Sequence, residues 1–290
     1  MIRALAILGG LCLAAAPASA QSKDFKMPRE SPAALVRQEI GVASMQIAYA
    51  RPAAKGRDLA AELAADRAKT GKPWRFGADA ATELTLDAPA KIAGKDVAAG
   101  AYALFAEPGA ASWTLILNAV SKQWGAYFHD AAKDVLRFEV RPETAEHVER
   151  LTFALDLKGD DVIVATFRWG AVRLAFDVAF DLPALEERML ATALRDLDPK
   201  DWRTRLGAAQ LRLKRGRAAD ALRLLEEAEA AAAHFWIDEW KARALHALGR
   251  DPEALPLLDR ALEGAAGKAP EGYLEGLRKL AREWRAAPPR

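Results

Sequence analysis

From about Ala34 to Phe180, apolar and polar residues alternate in steps of two. Met45, Ile47 and Tyr49 alternate with Ser44, Gln46 and Ala48, and Leu136, Phe138 and Val140 with Arg137 and Glu139. The longest run sets Val172, Leu174, Phe176, Val178 and Phe180 against Ala171, Arg173, Ala175 and Asp177. This period sends one set of side chains into a core and the other toward solvent, the mark of half-buried strands. Turn residues at Ala93-Gly94-Lys95-Asp96, Glu107-Pro108-Gly109 and Lys158-Gly159-Asp160-Asp161 separate the runs. Roughly eight to ten short strands result, the pattern of an antiparallel β-sandwich or barrel. Trp113 to Leu117 is apolar on both faces and predicts a central strand. Asp58 to Lys69 breaks the alternation with alanine-rich helical spacing around Leu59 and Leu63, so one short helix interrupts the strands.

After Asp181-Leu182-Pro183 the period becomes 3.6, and Ala, Leu, Arg and Glu, all strong helix formers, dominate. Breaks at Asp198-Pro199, Gly216, Gly249 to Pro252 and Gly267 to Pro270 divide this region into about six helices of about 12 to 17 residues. The fold class expected is therefore α+β in two domains, a β-sandwich over residues 34–181 and an all-α region over 182–290. An internal repeat runs through the helices. Gly216, Asp220, Ala221, Leu222, Leu224, Leu225 and Ala228 recur 33 residues later as Gly249, Glu253, Ala254, Leu255, Leu257, Leu258 and Ala261. The pattern resembles the tetratricopeptide repeat, an array of helical hairpins. It departs from that consensus at Ala208, Ala209 and Arg212, and an irregular helical bundle is the alternative.

The first residues change the address rather than the fold. Arg3 precedes an apolar run from Ala4 to Ala16, Pro17 ends it, and Ala18-Ser19-Ala20 offers small residues for a signal peptidase. The run is too short for a bilayer span, which needs about 20 residues. The expectation is a signal peptide over residues 1–20, cleaved after Ala20, an extended segment over 21–33, and a chain exported to the periplasm or secreted. Cys12, the one cysteine of the 290 residues, lies within that leader. Removing it removes disulfides, thiol nucleophiles and thiolate metal sites together. With 42 basic and 40 acidic side chains, the chain lacks the strong field of a dedicated nucleic-acid or anionic-membrane binder.

Several motifs of the β region carry a family resemblance. They are Tyr49-Ala-Arg51-Pro52-Ala-Ala-Lys55-Gly56-Arg57, Gly71-Lys72-Pro-Trp74-Arg75-Phe-Gly77-Ala78-Asp79-Ala-Ala-Thr82 and Gly100-Ala-Tyr102. Trp113 to Asn118, Trp124-Gly125-Ala-Tyr127 and Asp134 to Arg137 follow in order. Over residues 25–181 the chain resembles the bacterial domain-of-unknown-function family numbered 2911. The resemblance implies an exported β-rich domain with no assigned activity. Asp79 and Ala80 stand where that family usually has Asn and Glu.

Arg51, Lys55, Arg57, Trp74, Arg75 and Asp79 are the candidate ligand-binding residues. Cations beside aromatic rings suit an anion or a glycan, because guanidinium groups donate paired hydrogen bonds and indole gives a stacking face. The competing, structural reading pairs these cations with local carboxylates and carbonyls and places Tyr49 and Trp74 in the core. Trp236 and Trp240, four apart on one helix face, are the candidates for gripping a protein partner, with core packing as the plainer role. His129, His147, His234 and His246 show no metal-ligand spacing, and no phosphate loop, dinucleotide fingerprint or serine elbow appears. No cofactor, metal or catalytic group is therefore indicated. The sequence favours a non-enzymatic module that binds a ligand or partner, with a hydrolase-like enzyme acting on an envelope or extracellular substrate as the alternative.

Overall fold

The structure, a computed structural model, describes residues 28–109 and 111–286. The expected leader and most of the extended segment after it lie outside these residues. In chain order the strands are β1 (Ala33–Ile40), β2 (Ala43–Ala50), β3 (Thr82–Leu86), β4 (Ala90–Ile92) and β5 (Lys95–Val97). They continue with β6 (Gly100–Glu107), β7 (Trp113–Asn118), β8 (Asp134–Val140), β9 (Glu143–Lys158) and β10 (Val162–Ala179). One sheet runs β1-β2-β3-β6-β7-β8 and the other β5-β4-β10-β9, with every pairing antiparallel.

The alternation seen in sequence becomes the interior between the sheets. Met45, Ile47, Leu84, Leu104, Leu115 and Leu117 on the first sheet meet Ile92, Phe153, Phe167, Leu174 and Val178 on the second, all buried. Each such side chain contributes about 1.5–3 kcal/mol by leaving water. β7 is apolar on both faces for a reason the sequence does not show. Ile116 points away from the main core into a smaller one on the outer face, with Ala81, Ala103 and Phe105. The connection between β7 and β8 folds back over that face and contributes Ala126.

The long β9–β10 hairpin is interrupted in register on either side of Gly170. There the Glu149–Leu151 stretch of β9 turns to the chain following β2 instead. Ala54 N–H donates to Glu149 O at 2.7 Å and Leu151 N–H to Pro52 O at 3.0 Å. Helix α1 (Leu59–Thr70) follows, capped by Asp58, whose carboxylate accepts from Ala61 N–H. Leu59 and Leu63 hold it against the sandwich core.

Strands give way to helices between Ala179 and Leu182. The helices are α2 (Leu182–Arg195), α3 (Trp202–Lys214), α4 (Ala218–Ala231), α5 (Phe235–Ala247), α6 (Asp251–Ala265) and α7 (Glu271–Ala286). Each packs on its sequence neighbour from α3 to α7, forming an array. The 33-residue spacing is visible in hydrogen bonds. Arg217 N–H reaches Arg212 O and Arg250 N–H reaches Leu245 O, both at 2.9 Å. Gly216 and Gly249 sit at φ +73° and +74°, the left-handed position that closes a helix with this bond pattern. Ala221 and Ala228, and their counterparts Ala254 and Ala261, are completely buried where helices approach closely. The chain is thus an α+β protein, two antiparallel sheets followed by a helical array.

Candidate functional site

The basic motif after β2 is bound into the fold. Arg51 Nε donates to Leu151 O at 3.0 Å and its Nη2 to Thr152 Oγ1 at 2.8 Å, reaching across to β9. Arg57 donates to Ala54 O and Ala53 O, closing its own loop, and its guanidinium lies 5.3 Å over the Trp169 ring. Lys55 is exposed, its backbone N–H on Glu149 Oε1 and its ammonium 3.8 Å from Glu30. These residues form a brace at the break in β9.

The second motif makes a tight loop into β3. Trp74 exchanges backbone bonds with Ala106, donates its indole N–H to Gly77 O and stacks on Trp169 at 5.5 Å. Its edges meet Phe76, Trp113 and Phe167, so it is part of the aromatic core. Thr82 Oγ1 donates to Phe76 O. A Cβ on Gly77 would lie 3.1 Å from that hydroxyl oxygen and 3.3 Å from Ala50 O, so any larger residue would have to push the loop outward by a few tenths of an ångström. Asp79 has φ +59°, a conformation that Asp and Asn tolerate better than most residues. The Asn usual in the family at this position therefore has a backbone reason, and Asp79 retains it. Arg75 Nη1 donates to Asp79 O at 3.1 Å.

The β7–β8 connection is fastened from below by Asn118, which is fully buried. Its Nδ2 donates to Asp130 O and Asp134 Oδ1, and its Oδ1 accepts from Val120 N–H and Gln123 Nε2. His129 Nε2 lies 3.0 Å from Asp134 Oδ1, and the His129 ring meets Phe105 edge-on at 5.0 Å. Arg137 ties Asp134 to Glu107, and Arg67 of α1 joins Glu107 at 2.9 Å. The connection then pairs with the loop before β3. Ala81 N–H donates to Gln123 O at 2.9 Å and Gly125 N–H to Asp79 O at 3.0 Å.

Beside this seam, on the outer face of the six-stranded sheet, lies a cleft of about 410 Å³. Its floor is small and apolar, from Ala33, Ala48, Ala50 and Ala81. Arg29, Lys122, Asp79 and Glu83 line it with charge, and Trp124, 60% exposed, stands at its side. Gln123 also lines it and is only 7% exposed. Its Nε2 donates to Asn118 Oδ1 and Val120 O, while its Oε1 is buried without a partner among the described residues. A buried acceptor left unpaired costs about 1–3 kcal/mol. Asp79 alone of Arg51, Lys55, Arg57, Trp74, Arg75 and Asp79 lines this cleft; the other five are placed as described above. Gln123, Trp124 and Lys122 are not among the sequence's candidate binding residues, although Trp124 belongs to a family motif and Trp124-Gly125 behind an apolar strand is a readable sign of an aromatic on a turn.

In the array, Trp236 is 43% exposed at the start of α5. It borders Trp202 and His234, whose rings stack 4.5 Å apart. Trp240 is half-buried against the helical core, with the Arg243 guanidinium 5.2 Å over its ring. His234 Nδ1 accepts from Trp236 N–H at 3.2 Å and caps α5. Burial, then the positive charges of Arg203 and Lys268, hold the His234 pKa below its ordinary value. Glu239, also buried, takes bonds from Arg243 and Tyr273. Among the described residues no group of three or more His, Cys, Asp or Glu is arranged to hold a metal ion, and no helix is long and apolar enough to cross a membrane.

No curated protein and no solved structure matches the chain. A family model described as "protein of unknown function (DUF2911)" matches residues 31–178, from just before β1 to the penultimate residue of β10. That span covers half of the chain and includes every strand but for the last residue of β10, both motif loops and all of the cleft's lining except Arg29, and the chain belongs to this family.

Proposed function

We propose that the chain is an exported, non-catalytic binding protein of two domains divided near Asp181. In this reading the sandwich holds a small ligand in its outer cleft, and the helical array, tetratricopeptide-like in its repeat, engages a protein partner. The observation that carries the proposal is Gln123. Gln123 lines the cleft, and its side-chain oxygen is buried with no donor among the described residues, although its amide nitrogen is fully engaged. Exposed Trp236 beside Trp202 supports the partner surface, and the matching glycine turns 33 residues apart support the repeat. The run Arg3 to Ala20 supports export.

The test is a fragment screen on isotope-labelled full-length mature protein, residues 21–290, followed by amide NMR. Saturable shifts at Ala81, Gln123 and Gly125, with the fragments recovered intact, are the expected result. Silence of those amides across the library overturns the ligand site, and turnover of a fragment there overturns the non-catalytic reading.

A further inference from the structure

We infer that the cleft beside Trp124 holds a neutral saccharide ring, stacked on the indole and donating a hydroxyl hydrogen bond to Gln123 Oε1. The inference rests on the reading of this cleft as a ligand site and adds the class of ligand. The first argument is hydrogen-bond polarity. Turning the Gln123 amide over would set its oxygen against Asn118 Oδ1 and Val120 O, two acceptors, so its orientation is fixed by its neighbours. The missing partner must then be an N–H or O–H donor.

The second argument is charge. Arg29 and Lys122 offset Asp79 and Glu83 around the cleft, which gives neither an anion nor a cation an excess of opposite charge. Hydroxyl groups both donate and accept, so a sugar can satisfy carboxylates and cations alike. The third is shape. A floor of alanines lets a flat ring descend between Trp124 and the strands, and an exposed indole offers an apolar face to the C–H side of a pyranose. The volume suits a small ligand. The Ala81–Gln123 and Asp79–Gly125 backbone bonds hold the wall in place before the ligand arrives, which lowers the ordering cost of binding.

The experiment titrates full-length mature protein with cellobiose, maltose and N,N′-diacetylchitobiose as neutral probes. Galacturonate and inorganic phosphate serve as anions, spermidine as a cation and a trialanine amide as a peptide. The readouts are the Trp124 indole N–H and the Ala81 and Gly125 amides. At least one neutral disaccharide should shift all three and saturate at millimolar concentration. Trp124→Ala and Trp124→Leu should each weaken it by about tenfold, since the flat ring is lost in both. Trp124 is exposed, so neither variant should change the circular dichroism spectrum. Shifts from phosphate, galacturonate, spermidine or the peptide, without any from the neutral sugars, overturn the saccharide and leave a ligand site of another class. Silence toward every probe and toward the fragment library overturns both readings. Saccharide binding that survives both Trp124 variants also overturns the inference.

Discussion

At the scale of single residues, the difference between a ligand-binding arginine and a structural one lies in what its guanidinium touches. Arg51 reaches across from the chain after β2 to Leu151 O and Thr152 Oγ1, where β9 has left its partner strand. Those two bonds reinforce a stretch of β9 that is paired by its backbone to the chain after β2. Arg51→Met keeps most of the stem and removes both donors. It should destabilise the protein by about 1.5–3 kcal/mol in urea unfolding, the range for hydrogen bonds involving a charged group. The cleft amides of Ala81 and Gly125 should keep their shifts in the same variant; a large change there would mean that Arg51 also shapes the ligand site. The basic motif is easy to find in the sequence, but the partners of Arg51 are a backbone carbonyl and a threonine hydroxyl about 100 residues away, which no residue pattern announces. Gln123 shows the converse. Nothing in its identity marks it, and its unpaired oxygen becomes visible only once each neighbouring donor has been assigned.

Among elements, period and punctuation carried most of the fold. The strands alternate as the side chains require, and α1 begins behind Asp58 as its spacing predicts. The break between α4 and α5 is different, because Ala232-Ala233-His234 contains neither glycine nor proline. Ala232 leaves the helix in an extended conformation, and His234 restarts the next one by accepting Trp236 N–H. That cap works only through an unprotonated ring nitrogen. Burial, Arg203 and Lys268 depress the His234 pKa in the folded chain, while the unfolded chain titrates near the ordinary value of about 6.5. The unfolded state therefore takes up the proton first as pH falls. The cap's contribution is complete above about pH 6.5 and is lost as pH drops through the lower folded value. Helix unfolding in urea should shift to lower denaturant between pH 7.5 and pH 5, and His234→Asn, which caps without titrating, should flatten that dependence. An equal pH dependence in His234→Asn would assign the effect to another group.

For the molecule as a whole, α2 decides whether sandwich and array unfold together. Leu182 and Leu185 belong to the sandwich core, while Leu190 and Leu194, two turns on, belong to the helical one. Between them, buried Glu186 holds Arg215 through two bonds of 2.5 and 2.7 Å, fixing α2 to the end of α3. The contact with the sandwich is close. A Cβ on Gly41, in the turn between β1 and β2, would lie 2.8 Å from Leu182 Cδ1. One helix thus supplies side chains to both cores, and destabilising either end should be felt at the other. Leu182→Ala empties a buried site and should cost about 2–4 kcal/mol. Because the lost contact is part of the joint between the two units, scanning calorimetry should show a single transition in the parent chain and two in the variant. Leu277→Ala, a buried change at the far end of the array, serves as the comparison. It lowers the stability of the helices without touching the joint, so its transition should move and stay single. Two transitions already present in the parent, with the sandwich transition unmoved by Leu182→Ala, would show that α2 is a tether rather than a shared element, and that the array can change its stability without the ligand cleft responding.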